Sequence, residues 1–142
     1  MTKIIAELCQ NHNGDIKILE EMVHAASEAG ADYAKIQSLH SDELTHRKRF
    51  DDGLVEGNKV KVIKRPYKTE YDRLKKLDLS EADHIKFIEY CKKYNINPLT
   101  TIFSLGKIEM VNRYFNEVKI SSFDCASHRL IKEISNKNFN HI

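Results

Sequence analysis

Two lysines stand inside short apolar runs that read as buried strands: Ala34-Lys35-Ile36-Gln37-Ser38 and Val118-Lys119-Ile120-Ser121-Ser122-Phe123-Asp124. A third run, Ile4-Ile5-Ala6-Glu7-Leu8-Cys9-Gln10-Asn11-His12-Asn13-Gly14, also ends in polar residues with no evident place in a core. A lysine in such a setting is costly unless it is paired or faces a polar cavity. Side chains alternate along a strand, so Lys35 and Gln37 share one face, with Ala34 and Ile36 on the other. Thr101 and Phe103 share a face in Leu99-Thr100-Thr101-Ile102-Phe103, as do Lys119 and Ser121 in the last run. The favoured register puts Lys35, Thr101 and Lys119 together on the inner face. Two ammonium groups and a hydroxyl suit a phosphate or a carboxylate. The other reading is that both lysines sit at frayed strand ends and point into water.

The elements that would position these residues follow from periodicity. Residues 3–9 form a first strand. Asp15 caps a helix with Ile16, Leu19, Met22, Val23 and Ala26 on one face, and Gly30 takes the C′ position that ends it. Residues 32–38 are a second strand. Ser80 with Asp83 resembles a capping box and starts a helix striped by Ile85, Ile88 and Cys91. Pro98 opens a third strand, since proline is tolerated at a strand's first residue. Leu105, Ile108, Val111 and Phe115 mark the next helix. Residues 118–121 form a fourth strand, and Leu130, Ile131 and Ile134 a last short helix. Alternation of strand and helix implies parallel strands with right-handed crossovers. Residues 39–79 break the rhythm. So long a connection is uncommon and usually functional or mobile. It carries Arg47-Lys48-Arg49 and Lys59, Lys61, Lys64, Arg65 and Lys68.

The chain has 142 residues, enough for one domain or part of one. Its formal charge of +2 favours neither nucleic acid nor an acidic partner. No apolar stretch approaches the ~20 residues of a membrane span, and the N-terminus does not read as a signal peptide. Cys9, Cys91 and Cys125 are odd in number and far apart. They fit reduced cytoplasmic thiols better than a disulfide framework or a zinc site. His12 either orders its own loop or meets metal or substrate. His40, His46, His84, His128 and His141 show no ligand spacing and are expected at the surface, with His24 facing solvent. Cys125 reads as a packed thiol, because no base is evident beside it. The basic connection lacks regular aromatic interleaving. It reads as a solvated loop or one that closes over an anionic substrate.

Four motifs then fall in order along nearly the whole chain. "AELCQNHNG", "EAGADYAKIQS", "TTIF" and "VKISSFDCAS" resemble the first four strands of the sialic acid synthase family. The resemblance implies an α/β chain forming the first four β/α units of a (β/α)₈ TIM barrel, with residues 1–142 as the N-terminal half. The second half and the family's C-terminal antifreeze-like domain are expected to be absent. It implies a transferase that condenses phosphoenolpyruvate with an N-acylated hexosamine to a nine-carbon nonulosonic acid. Lys35, Thr101, Lys119 and Ser122 match positions that bind the phosphate and carboxylate of phosphoenolpyruvate, with Gln37 beside them. Asp124 matches a carboxylate that orients the sugar or moves a proton. Glu7 matches an acidic residue at the end of the first strand, and Asn58 a sugar-contacting asparagine. A divalent metal, Mn2+, is implied as Lewis acid for the aldehyde, with ligands expected on later strands rather than in this chain. The expected partners are the two substrates and, for a full-length enzyme, a second copy in a homodimer. Neither nucleic acid nor membrane is expected. Ile102 departs from the usual proline. Phe123 departs from the usual glycine, and its bulk narrows the pocket and bears on which sugar fits. The competing reading is a stand-alone half-barrel, an inactive anion-binding or protein-interaction module.

Overall fold

The Asp15 carboxylate accepts a 2.7 Å hydrogen bond from the Lys17 amide and so caps helix α1 (Ile16–Glu28). Leu19, Val23 and Ala26 of that helix are buried. Gly30 ends it at φ +80, the left-handed geometry that a C′ glycine adopts without strain. The computed structural model describes residues 2–141. Strand β1 (Ile5–Cys9) precedes α1, and β2 (Tyr33–Ser38) follows it. Helix α4 (Glu81–Lys93) starts with the expected capping box. The Asp83 amide donates to the Ser80 hydroxyl, and the Ser80 amide donates to the Asp83 carboxylate, both at 3.1 Å. Then come β5 (Asn97–Ile102), α5 (Ile108–Tyr114), β6 (Val118–Lys119) and α6 (His128–Ser135).

The main sheet has the order β1-β2-β5-β6, with every pair parallel. This is the expected α/β class. Ala34, Ile36, Ser38, Thr100, Ile102 and Val118 point to the helical side and are buried there with Leu19, Val23, Phe87 and Val111. Glu7 is paired in register with Lys35, Lys35 with Leu99, Gln37 with Thr101, and Thr101 with Lys119. Those residues therefore share the opposite, inner face.

Three expectations change. Strand β6 stops at Lys119 rather than at residue 121. The Ser121 hydroxyl accepts from the Phe123 amide and its carbonyl from the Asp124 amide, which turns the chain into a 3-10 turn at Ser122–Asp124. Local bonds of this kind compete with the ladder. Secondly, the buried face of α4 is His84, Phe87 and Cys91, while Ile85 and Ile88 are only half-buried. His84 is thus interior rather than at the surface. Its Nδ1–H donates to the Ser80 carbonyl at 2.8 Å, so Nε2 accepts from the Ser38 hydroxyl at 2.9 Å. Thr100 Oγ1 lies 2.8 Å from Ser38 Oγ and completes the chain. With its polar atoms satisfied, the imidazole can lie in the core.

The third change concerns residues 39–79, which hold elements of their own. They are a 3-10 turn (Ser41–Glu43), α2 (Arg49–Asp52), the antiparallel hairpin β3 (Leu54–Glu56) and β4 (Lys59–Val62), and α3 (Tyr67–Lys75). Both ends of the connection are fastened together, since the Ser41 amide and hydroxyl donate to the Asp78 carboxylate at 3.0 and 2.7 Å. The Gly106 amide donates to Glu43 at 3.1 Å, and Arg73 to Gln10 at 3.3 Å. These bonds hold the connection over the carboxyl ends of the strands.

Candidate functional site

Lys35 is the centre of the site. Its side chain is 3% exposed, and its ammonium lies 2.8 Å from the Glu7 carboxylate and donates to the Thr101 hydroxyl at 2.8 Å. Parallel pairing of β1, β2 and β5 produces this triad, because it brings one face of three strands into register. Glu7 is 47% exposed, so the pair has one buried and one wet partner. The lysine is held on the inner face by these two partners. Lys119 is on the same face, beside Thr101 in register, but exposed. It lines a shallow groove of about 700 Å³ with Ile5, Tyr33, Leu99 and Ile120.

A larger cleft of about 860 Å³ opens between the strand ends and the long connection. Gln37, Phe103, Phe123 and Asp124 line it from the sheet side, and Arg47, Phe50, Arg65 and Tyr67 from the connection. Asp124 Oδ2 is buried with no hydrogen-bond partner among the described residues. Burial raises the Asp124 carboxyl above its ordinary range, while the Ser121 hydroxyl and the charge of Arg47 act against this. An uncompensated carboxyl facing a cleft is suited to receive a hydrogen bond or a proton from a ligand. The Arg47 guanidinium lies over the Phe123 ring, 4.7 Å from its centroid, and joins the connection to the loop after β6.

The structure therefore brings Glu7, Lys35 and Thr101 into contact, keeps Lys119 beside them, and puts Gln37 and Asp124 in the cleft. Ser122 is exposed in the 3-10 turn next to Asp124. Asn58 sits in the exposed turn of the β3–β4 hairpin and does not line the cleft. His12 is buried, and its Nδ1 accepts from the Gly14 amide at 3.0 Å, the loop-ordering arrangement. Cys125 is exposed, not packed, and its thiol donates to the Ser121 carbonyl at 3.4 Å. Among the described residues no three His, Cys, Asp or Glu side chains come together to hold a metal. These side chains do not by themselves form a metal site. Arg47 is the contributor that sequence reasoning left unassigned. Its only signal was membership of a basic run.

A parallel sheet with helices on one face and polar groups at the carboxyl ends of its strands is how successive β/α units of a TIM barrel are built, the class of α/β protein to which the fold corresponds. The solved N-acetylneuraminic acid synthetase of Leptospira borgpetersenii matches it with a TM-score of 0.77 at 24% identity, over 97% of this chain and 42% of that one. The NeuB family model matches residues 22–142, and the chain belongs to the NeuB family. The N,N'-diacetyllegionaminic acid synthase of Legionella pneumophila is 32% identical over 94% of this chain and 36% of its own length. The pseudaminic acid synthase of Helicobacter pylori is 26% identical over 92% of this chain and 37% of its own. The chain thus spans little more than a third of the length of these curated relatives.

Proposed function

We propose that this chain is the N-terminal half of the catalytic barrel of an enzyme that condenses phosphoenolpyruvate with an N-acylated hexosamine, releasing phosphate and a nonulosonic acid. The observation that carries the reading is the buried Lys35 ammonium, held between Glu7 and Thr101 at the strand ends of a NeuB-family sheet. Lys35, Thr101, Lys119 and Ser122 bind the phosphate and carboxylate of phosphoenolpyruvate, and Gln37 contacts the ligand from the same face. Their fixed charges and hydroxyls require little rearrangement as the trianion reacts, which is the basis of electrostatic preorganisation. C3 of phosphoenolpyruvate then forms a bond to the aldehyde carbon of the open-chain sugar, whose oxygen takes a proton. Water adds to the cationic C2. The C2–O bond to phosphate breaks, leaving a carbonyl at C2. Asp124 orients the sugar and carries a proton in this sequence, and Glu7 faces the same site.

The full-length enzyme works in the cytoplasm as a homodimer with a divalent metal, Mn2+. Its remaining barrel strands and an antifreeze-like domain lie beyond the residues present here. Among the described residues no helix is long and apolar enough to cross a membrane. Phosphoenolpyruvate titrated calorimetrically into this chain should bind, and Lys35→Ala and Lys119→Ala should each weaken binding. Unchanged affinity in Lys119→Ala would count against its place in the site. Turnover of phosphoenolpyruvate and N-acetylmannosamine with Mn2+ by the 142-residue chain alone would contradict the need for the opposite half of the barrel.

A further inference from the structure

Arg47 is the one guanidinium of the connection whose contact crosses the cleft to an aromatic ring beside Asp124. Residues 44–47 run without regular secondary structure between the 3-10 turn and α2, so little of the backbone's own bonding holds the side chain in place. What holds it is the stack on Phe123, a ring that is 68% exposed and has no core role. Both residues line the same cleft, so the stack bridges its two sides. Phe123 directly precedes the carboxyl whose Oδ2 is buried and unpartnered.

We propose that Arg47 is a positioning residue of this site: stacked on Phe123, it carries a positive charge from the long connection to the cleft that the Asp124 carboxyl lines, and so lowers the proton affinity of that group. The proposal rests on the reading of Asp124 as a proton-handling residue. With the guanidinium docked, its charge opposes the upward shift that burial imposes on the Asp124 carboxyl. Without that charge the half-buried carboxyl is left with its desolvation, which favours the protonated form. The other charged groups around the cleft do less. Arg73 is engaged in a two-point pair with Glu70, and Glu43 is held by the Gly106 amide. His40 and Arg65 line the connection side, and Arg129 lines the cleft from α6. Among the described residues no Lys, Arg or His comes within 4.0 Å of Asp124, so the coupling is through space and graded. Thermodynamic linkage makes it reciprocal, and protonation of Asp124 must weaken the Arg47 stack by the same factor.

The test follows the Asp124 carboxyl by carbon-13 NMR of the labelled chain across a pH titration. Arg47→Gln should raise its midpoint by about half a pH unit, the effect of removing a unit charge several ångströms away in a wet cleft. Phe123→Leu should raise it similarly while keeping the arginine, and Phe123→Tyr, which keeps the ring, should leave it in place. Arg129→Gln should shift it less than Arg47→Gln does. In the unaltered chain the Phe123 ring resonances should move with the Asp124 midpoint. Both residues are exposed, so neither change threatens folding. An unmoved midpoint in Arg47→Gln, or an equal shift in Arg129→Gln, overturns the proposal. An unmoved midpoint in Phe123→Leu overturns the stack as the holding contact. The readout is a proton on Asp124 rather than turnover, so this inference and the proposed reaction can fail separately.

Discussion

At the scale of single residues, Lys35 is the partner of a structural ion pair and, in the proposed function, an anion ligand as well. A lysine ammonium buried in a sheet needs a counter-charge, and Glu7 supplies it from the neighbouring strand. Glu7→Gln removes that charge and should lower stability by about 1–2 kcal/mol, less than for a fully buried pair because Glu7 is half in water. The same change frees Lys35 for a ligand anion, so affinity for inorganic phosphate should rise while the urea midpoint falls. A parallel loss of both would mean that Lys35 does not face the anion. Gly14 shows a different constraint. At φ +78, any Cβ there would overlap the Lys76 carbonyl oxygen, which brings the β1–α1 loop against the end of α3. Gly14→Ala should therefore cost about 2–3 kcal/mol, seen as a fall in thermal midpoint.

Elements set how these residues meet. The Ser80 capping box stabilises the start of α4, and the same turn offers the carbonyl that fixes the His84 tautomer. Ser80→Ala should cost about 1 kcal/mol through the lost cap, read from chemical denaturation. His84 and His12 are both held below the ordinary histidine range by burial. The unfolded chain titrates both near pH 6.5, about the ordinary value, whereas the folded chain resists their protonation. Stability from this source is complete above that pH and declines as pH falls through it. The urea midpoint should be lower at pH 5.5 than at pH 7.5. Equal midpoints would contradict the buried, neutral state of both rings. The β3–β4 hairpin contrasts with α4: Leu54, Val55 and Val60 are well exposed, and a two-stranded hairpin draws little stability from its own pairing.

The molecule as a whole is a sheet covered on one side. Helices bury Ala34, Ile36, Ile102 and Val118, while Ile5, Tyr33, Leu99 and Ile120 line an open groove on the other side. Strands β1 and β6 end the sheet; β6 is met on its outer side by His141, whose carbonyl accepts from the Val118 amide at 3.2 Å, while β1 pairs only with β2 among the described residues. Unpaired edges and an uncovered apolar face favour association. Sedimentation of this chain should show a species larger than a monomer that dissociates on dilution. A monomer at all concentrations would show that the inner face is polar enough to stand alone. Relatives of nearly three times the length supply the contrast, because this chain covers only 36% of the Legionella synthase.

Much of this was legible in the residues themselves. Asp15, Gly30 and the Ser80–Asp83 pair mark element ends by local chemistry, and local chemistry is read without tertiary contacts. The two-residue period put Lys35, Thr101 and Lys119 on one face, and parallel pairing kept them there. Other features required the folded chain. The interior position of His84 was hidden because Ser38, which bonds its Nε2, lies 46 residues away. The order within residues 39–79 was hidden because its fastenings, Ser41 to Asp78 and Glu43 to Gly106, join distant positions. The exposure of Cys125 and the place of Asn58 outside the cleft also depended on how local turns project in space. The amino-acid sequence by itself determined the strand and helix pattern, the family and the charged groups of the inner face, because these depend on residue type and short-range spacing. Only the tertiary structure decided that Arg47 meets Phe123 beside Asp124, because that contact depends on where a long connection lands.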